Sequence, residues 1–282
     1  MKHPNIFSFC NQKGGVGKTT SAINIATSIS NLGYKVLLID IDPQGNATSG
    51  LGEEKKADLT NIYDVLSERL SIYESIRNTK IENLNLIASS VDLSASEIEL
   101  ISVEAREFRL KKALDPIKDR FDYIFIDCPP SLGLLTINAL VASDFILIPL
   151  QCEYYALEGL GQLIQTYYLV KKNLNENLKI GSVIMTMADF RTKLTEQVIA
   201  EVRTHFSNKV FDTIIPRSIR LSEAPSFGQP GILYDKSSKG AKSYLAVSNE
   251  FLKRFPPSSK TSGNKVDTKE SSESLLNKEM GS

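Results

Sequence analysis

Runs of consecutive apolar residues alternate along the chain with segments in which apolar residues recur every three or four positions. The continuous runs are typical of strands buried on both faces of a parallel sheet, and the periodic segments are typical of covering helices. The sequence therefore predicts an α/β fold in which a mainly parallel, twisted sheet carries helices on both faces. The predicted strands are residues 6–10, 35–40, 84–88, 123–127, 145–150, 180–187 and 210–215. The predicted helices are residues 19–31, 96–118, 132–141, 157–173, 193–206 and 242–255.

Composition limits the number of domains and the class of protein. A chain of 282 residues with 41% hydrophobic content can bury one large core, and we predict a single domain over residues 1–255. Residues 256–282 are rich in serine and lysine and almost without apolar side chains, which predicts a disordered tail. The sequence shows no leader peptide and no apolar run of about eighteen residues, so a cytoplasmic protein with no membrane partner is expected.

A glycine-rich loop between the first predicted strand and the first predicted helix carries the clearest chemical signal. Its end, Gly17-Lys18-Thr19, matches the end of the phosphate-binding pattern G-x-x-x-x-G-K-[ST], but Gln12 occupies the position of the first glycine. A second lysine, Lys13, stands beside a pair of glycines instead. Because a strand precedes the loop and a helix follows it, a chance glycine-rich turn is the weaker interpretation. The predicted nucleotide-binding residues of the loop are Lys13, Gly14, Gly15, Val16, Gly17, Lys18, Thr19 and Thr20.

The chemistry of such a loop points to a nucleoside triphosphate with magnesium. Unpaired N–H groups at a helix N-terminus attract phosphate, and glycines let consecutive N–H groups turn toward one anion. We expect Lys18 to contact the β and γ phosphates and the hydroxyl of Thr19 to bind Mg²⁺. The predicted cofactors are therefore ATP and Mg²⁺.

Two further predicted strands end in carboxylates. Residues 123–127 (YIFID) end in Asp127, the arrangement of a Walker B acid beside the metal, although an aspartate that caps the following turn is the alternative. Residues 35–40 run into Asp40 and Asp42, which alternation along a strand directs to the same side. We expect one of these two to reach the metal through water and the other to orient the attacking water.

Charge is balanced over the whole chain but is unevenly distributed. Residues 191–260 contain twelve basic and six acidic side chains, so the C-terminal third is locally cationic. A solvated basic surface and a surface that binds nucleic-acid phosphates are both consistent with this excess. The three cysteines have neither disulfide nor zinc-binding spacing, and we expect them to be buried, reduced side chains.

Four segments together resemble one protein family. KGGVGKTT, IDIDPQGNATSGLG, FIDCPPSLG and IPRSIRLSEAPSFG look like the ParA/Soj family of chromosome- and plasmid-partitioning ATPases, within the deviant Walker A class of P-loop proteins that includes MinD. The resemblance spans about residues 6–255. It implies a P-loop ATPase that forms an ATP-sandwiched homodimer, binds double-stranded DNA without sequence preference, associates with the nucleoid and works with a ParB/Spo0J-like adaptor.

The resemblance also implies roles for individual residues. Lys13 corresponds to the signature lysine that reaches the phosphates of the partner subunit, and Asp42 corresponds to the aspartate needed for hydrolysis. With Lys18 of the loop, these two complete the predicted catalytic residues. The resemblance matches Thr19 to the magnesium ligand and Asp127 to the Walker B acid, and Asp40 completes the predicted magnesium residues. Pro216 and Ser218 correspond to the adenine pocket, where the family usually has asparagine at the second position. Arg191 and Arg220 correspond to the arginines that bind DNA.

Two other functions are consistent with the same class. A MinD-like, membrane-associated positioning ATPase would need a C-terminal amphipathic anchor, whereas the apolar face of the last predicted helix is more simply interpreted as core. An amide-forming synthetase or a reductase with a shared iron–sulfur cluster could use the same fold, but no cysteine pair is placed to hold such a cluster.

Overall fold

The computed structural model describes residues 5–54, 59–153 and 156–257. Within them, seven strands form one sheet with the order β3-β4-β2-β5-β1-β6-β7. The strands are β1 Asn5–Phe9, β2 Val36–Asp40, β3 Ile76–Asn78, β4 Leu84–Ile87, β5 Tyr123–Asp127, β6 Phe145–Gln151 and β7 Lys179–Thr186. All neighbours are parallel except β3, which pairs antiparallel with β4 at the edge. The predicted α/β class with a mainly parallel sheet is confirmed.

Helices cover both faces of this sheet, and each face has its own apolar cluster. One cluster contains Ile62, Leu110, Leu135 and Leu163, and the other contains Ile25, Tyr244 and Phe251 with Phe7 and Phe125 of the sheet. The α-helices are α1 Lys18–Asn31, α2 Asn46–Gly50, α3 Ile62–Leu66, α4 Ile72–Ser75, α5 Leu93–Glu99, α6 Arg109–Leu114, α7 Leu134–Ala142, α8 Ala156–Asn173, α9 Lys193–Phe206, α10 Ile219–Glu223, α11 Gly231–Tyr234 and α12 Lys239–Arg254. Short 3₁₀ turns lie at Leu100–Ser102, Arg106–Phe108, Lys118–Arg120, Ser207–Lys209 and Ala224–Phe227.

The long helix predicted over residues 96–118 is wrong. The segment contains the end of α5, two 3₁₀ turns and α6, and it breaks at Val103, which is extended, and at Ala105, which has φ of 52°. Ile98 and Ile101 are more than half exposed, so the apolar residues of the segment do not all face the core. The apolar spacing is that of one long amphipathic helix, but the segment forms separate short helices and turns.

The strand predicted over residues 210–215 is also wrong, and the reason lies in a side chain from α12. Phe211 and Ile215 donate backbone hydrogen bonds to β7, as a strand would. Between them, the backbone N–H groups of Asp212 and Thr213 donate to the Glu250 carboxylate at 2.7 and 2.9 Å. In a strand, alternate N–H groups face the same neighbour, so the donor to β7 that follows Phe211 would be Thr213. Glu250 takes this donor, and the pairing with β7 is interrupted until Ile215.

The C-terminal end of the described chain belongs to the core. Tyr244, Val247 and Phe251 of α12 are buried, and the Phe251 ring lies 4.8 Å from that of Phe7. The apolar face of this helix is therefore core, as expected, and no helix of the described segments is long and apolar enough to cross a membrane. The predicted tail, residues 256–282, lies outside the described residues except for Pro256 and Pro257.

Candidate functional site

The C-terminal ends of the three central strands bring the predicted site residues together. Strands β2, β5 and β1 are neighbours in register, with Asp40 beside Asp127 and Phe9 also beside Asp127. The glycine-rich loop leaves β1, and the two aspartates end the adjoining strands. Because parallel strands present their carboxyl ends at one edge, residues far apart in sequence become neighbours there.

The loop curls around the N-terminus of α1. Gly15 and Gly17 have φ of 73° and 89°, a left-handed conformation that glycine adopts without steric cost. Gly17 precedes α1 without a side-chain cap, so the first N–H groups of the helix are not capped by a side chain. The hydroxyl of Thr186, at the end of β7, donates to the carbonyl of Val16 at 2.8 Å and fixes the loop against the sheet.

The two lysines of the loop have different partners. Lys18 is buried, and its Nζ donates to the backbone carbonyl of Lys13 at 3.2 Å. Burial lowers the pKa of Lys18, and the nearby Asp127 carboxylate opposes that change. The side chain of Lys13 points elsewhere, to Glu153, with a separation of 3.0 Å between Nζ and Oε2. Only Lys18 therefore directs its ammonium group into the loop.

Thr19 and Asp127 form a direct contact at the predicted metal position. The Thr19 hydroxyl donates to Asp127 Oδ2 at 2.7 Å, while Asp127 Oδ1 is buried without a hydrogen-bond partner. Burial raises the pKa of Asp127 well above its usual range, and the neighbouring Asp40 carboxylate adds to this effect. An unpaired carboxylate oxygen beside a threonine hydroxyl suits a hard cation that prefers oxygen ligands. In the described segments, no cluster of three acidic, histidine or cysteine side chains forms a complete metal site.

Asp40 is placed differently from Asp127. Its Oδ2 accepts hydrogen bonds from the backbone and hydroxyl of Thr48, both at 2.7 Å, and its Oδ1 accepts from the backbone N–H of Asp42 at 3.2 Å. Both oxygens are therefore already engaged, which suits a contact with metal through water rather than direct coordination. The same bonds hold the turn that carries Asp42.

Asp42 lies in this turn and is also buried. Its Oδ1 accepts from the backbone N–H of Gln44 at 2.9 Å, and its backbone carbonyl accepts from the Ser89 hydroxyl at 2.6 Å. Its charge acts on both Lys18 and Asp127, which places it at the same edge of the sheet. Thr48 and Ser89, which support the two aspartates, were not found from the sequence because isolated hydroxyl residues carry no motif.

The buried carboxyl group of Asp40 gives a pH-dependent prediction. Burial raises its pKa to about 6, above an ordinary value of about 3.9. The folded protein therefore binds this proton more tightly than the unfolded chain does. The proton on Asp40 therefore stabilises the folded protein. This contribution to the free energy of unfolding is fully present below about pH 4 and is lost as the pH rises through about 6.

We expect the ¹³C carboxyl resonance of Asp40, followed by NMR in metal-free buffer, to titrate with a midpoint near pH 6. The Asp40→Asn variant identifies the resonance by its disappearance. A midpoint near 4 would show that the Thr48 hydrogen bonds cancel the effect of burial.

A cavity of about 280 Å³ opens beside the loop. Pro216 and Ser218 line it together with Gly17 and Thr20, so the two residues predicted for a base pocket do adjoin the loop. Ser218 stands immediately before α10. Arg217 lines the same cavity and was not found from the sequence.

The two predicted DNA-binding arginines pair with acidic side chains that do not belong to the predicted nucleotide site. The Arg191 side chain is 87% exposed and forms a two-pronged contact with Asp189, at 2.8 and 2.6 Å. These hydrogen bonds lower the pKa of Asp189 to about 2. The Arg220 guanidinium lies 2.9 Å from Glu223 and 3.5 Å from Asp235. Both arginines are thus exposed and paired with carboxylates.

Comparison with known proteins identifies the family. A family model described as an AAA domain matches residues 4–180. The chain is 55% identical to the sporulation initiation inhibitor protein Soj of Bacillus subtilis, over 87% of this chain and 97% of that protein. It is 52% identical to the chromosome partitioning protein ParA of Myxococcus xanthus, over 90% of each chain.

Solved structures show the same fold. Cobyrinic acid a,c-diamide synthase from Mycobacterium smegmatis, with bound ATP analog and magnesium, has a TM-score of 0.79 and 32% identity, over 93% of this chain and 100% of that one. A putative plasmid partition protein from Borrelia burgdorferi, bound to AMPPNP, has a TM-score of 0.76 and 32% identity, over 89% and 99% of the two chains.

Proposed function

The chain belongs to the ParA/Soj family of partitioning ATPases, and we propose that it is an ATP-dependent DNA-partitioning switch. With ATP bound it forms a homodimer that binds DNA without sequence preference, and hydrolysis releases the DNA. Residues 1–255 form the working domain. The protein acts at the nucleoid with a ParB-like adaptor and segregates a chromosome or a plasmid.

The observation that carries the proposal is the contact between Thr19 and Asp127, with the second Asp127 oxygen buried and unpaired beside the loop. These residues fit Mg²⁺, which takes oxygen ligands and is bound by one or two carboxylates together with phosphate oxygens. Bound magnesium supplies charge neutralisation for the phosphate oxygens. The structures of relatives with an ATP analog and magnesium, or with AMPPNP, support the choice of cofactor.

The remaining steps use the chain's own residues. Lys18 holds the phosphates, and Lys13 reaches the nucleotide of the partner subunit, as an arginine finger does in other phosphoryl-transfer proteins. Asp42 orients the attacking water, and Asp40 supports the turn that carries Asp42. Positioning and charge stabilisation suffice for phosphoryl transfer, so no strong base is needed.

Dimerisation explains how ATP controls DNA binding. Joining two cationic surfaces about doubles the phosphate contacts, which raises affinity steeply because each contact releases counterions. Arg191 and Arg220 supply such contacts. An exposed ion pair contributes little stability, so a DNA phosphate can displace Asp189 or Glu223 from its arginine.

The test is binding of the purified protein to two unrelated DNA duplexes of equal length, with ATP, with ADP and without nucleotide. We expect both duplexes to bind equally and only with ATP. Binding that is equal in all three nucleotide states would contradict the proposal. Co-sedimentation with anionic vesicles in the same buffers tests the MinD-like alternative, which predicts ATP-dependent vesicle binding without DNA binding.

The cationic residues give a second prediction. Arg191→Glu and Arg220→Glu should each weaken binding to all duplexes alike and make the dependence of affinity on salt shallower by about one contact per subunit. ATP binding and dimerisation should persist, because the ion pairs of these arginines are with Asp189, Glu223 and Asp235 and not with the aspartates of the nucleotide site. Electrophoretic shifts of a random duplex at several salt concentrations measure both effects.

Asp189→Asn is the matched control for this prediction. It keeps Arg191 but removes the carboxylate that pairs with it, so DNA binding should become tighter instead of weaker. Unchanged DNA affinity in both arginine variants would show that DNA does not bind at Arg191 or Arg220. Loss of the ATP-dependent dimer would place the arginines in the subunit interface.

A further inference from the structure

Glu153, which follows β6, is a point where several polar groups converge. Its Oε2 accepts a hydrogen bond from Lys13 Nζ at 3.0 Å, and its Oε1 accepts one from Gln151 Nε2 at 2.5 Å. The Arg217 guanidinium lies 3.6 Å from Oε1. One carboxylate therefore connects the glycine-rich loop, the end of β6 and the wall of the cavity beside the loop.

The backbone around Lys13 is fixed independently of this contact. The Lys13 N–H donates to Asn11 Oδ1 at 3.0 Å, and Asn11 Nδ2 donates to the carbonyl of Pro149 in β6 at 2.7 Å. The carbonyl of Lys13 accepts from Lys18. The base of the side chain is thus held in place, and its ammonium group is free to exchange one partner for another within its reach.

We propose that Glu153 is a positioning residue that holds Lys13 within its own subunit. It thereby raises the dissociation constant of the ATP-dependent dimer. The inference rests on the proposed role of Lys13 in reaching the partner's nucleotide. An ammonium group that donates to Glu153 at 3.0 Å has to leave it before it can cross to another subunit. Each dimer that forms consequently breaks two such contacts, one from each subunit.

The exposure of the pair limits the size of the effect. The side chains of Lys13 and Glu153 are 37% and 43% exposed, and ion pairs of this kind change an equilibrium constant by at most about fivefold. Because two pairs break in each dimer, the effect on the dimer dissociation constant is squared, up to about 25-fold. The contact is therefore strong enough to adjust dimerisation and too weak to prevent it.

The first experiment measures dimerisation of the full chain by analytical ultracentrifugation with AMPPNP, an analog that avoids turnover. We expect Glu153→Gln to lower the dimer dissociation constant by about three- to twenty-fold, because the neutral amide holds Lys13 less tightly. Glu153→Asp keeps the charge on a shorter side chain, so its dimer dissociation constant should lie between those of Glu153→Gln and the unchanged protein. Glu82→Gln, an equal change of charge at an exposed position, should have no effect.

The second experiment tests the contact without any dimer. In the absence of nucleotide, the rate at which an amine-acylating reagent modifies Lys13 is compared with the rate at exposed Lys80 in the same molecule by mass spectrometry. We expect Glu153→Gln to accelerate modification of Lys13 alone. Equal rates in the two proteins would overturn the claim that Glu153 holds Lys13.

The two measurements together separate the possible failures. Suppose that Glu153→Gln speeds the modification of Lys13 but leaves the dimer dissociation constant unchanged or raises it. The claim that Glu153 limits dimerisation would then be wrong, and the proposed function would stand. Tighter AMPPNP binding by a Glu153→Gln monomer, without tighter dimerisation, would show that Lys13 turns to its own subunit's nucleotide and would also overturn that claim. If the unaltered chain forms no dimer with ATP or AMPPNP, the proposed function is wrong. The claim that Glu153 limits dimerisation is then wrong as well, whatever the labelling shows.

Discussion

Replacement of Lys18 by alanine is expected to abolish measurable ATP binding. Lys18 is the lysine of the loop that is buried and that directs its ammonium group to the loop backbone, at the carbonyl of Lys13. Charge-assisted hydrogen bonds to phosphate are the strong ones, and removal of a buried partner from such a pair costs about 30-fold to several thousand-fold in affinity. Isothermal titration calorimetry with ATP and magnesium measures this loss.

Lys13→Ala is the informative comparison, because it removes a lysine from the same loop. Its side chain contacts Glu153 and not the loop, so we expect appreciable nucleotide affinity to remain while the ATP-dependent dimer is lost. Lys80→Ala, at an exposed position, controls for the change of charge. A Lys13→Ala protein that is still dimeric with ATP by size exclusion would contradict the role of Lys13 across the interface, and equal ATP affinity in Lys18→Ala would contradict that of Lys18.

Parallel strand geometry explains why much of the candidate site could be predicted. Asp40 and Asp127 each end an apolar run in the sequence. Because parallel strands end at a common edge of the sheet, this pattern alone predicts that the two aspartates lie together. The same rule applies to Glu153, which also follows a buried strand. It was missed because its role depends on meeting Lys13 and Arg217, which lie 140 and 64 positions away along the chain.

Some elements were predicted wrongly or missed because their structure depends on features that a local sequence pattern does not show. Residues 210–215 have the apolar character of a strand, but Glu250 takes two of the backbone donors, and its position is set by the packing of α12. The break at Ala105 requires a left-handed conformation that alanine rarely adopts, so no residue type indicated it. Strand β3 was missed because three residues at an edge are too short to form a pattern.

Replacement of Asp42 by alanine is expected to reduce ATP turnover at least about 100-fold, the size of effect typical when a group that positions or activates a reactant is removed. The hydrogen bonds that hold Lys18, Thr19 and Asp127 do not involve the Asp42 side chain, so ATP and magnesium should still bind. With hydrolysis blocked, the protein should accumulate as an ATP-bound dimer on DNA. Phosphate release, and the fraction of protein retained on a DNA column with ATP, measure the two effects.

A structural explanation has to be separated from a catalytic one, because Asp42 Oδ1 also accepts from the backbone N–H of Gln44. Asp42→Asn can keep this hydrogen bond through its carbonyl oxygen while it loses the negative charge. We therefore expect the asparagine variant to be as slow as the alanine variant and equally retained on DNA. Near-normal turnover in Asp42→Asn would mean that Asp42 acts by holding the turn, and normal turnover in both variants would assign the attacking water to another group.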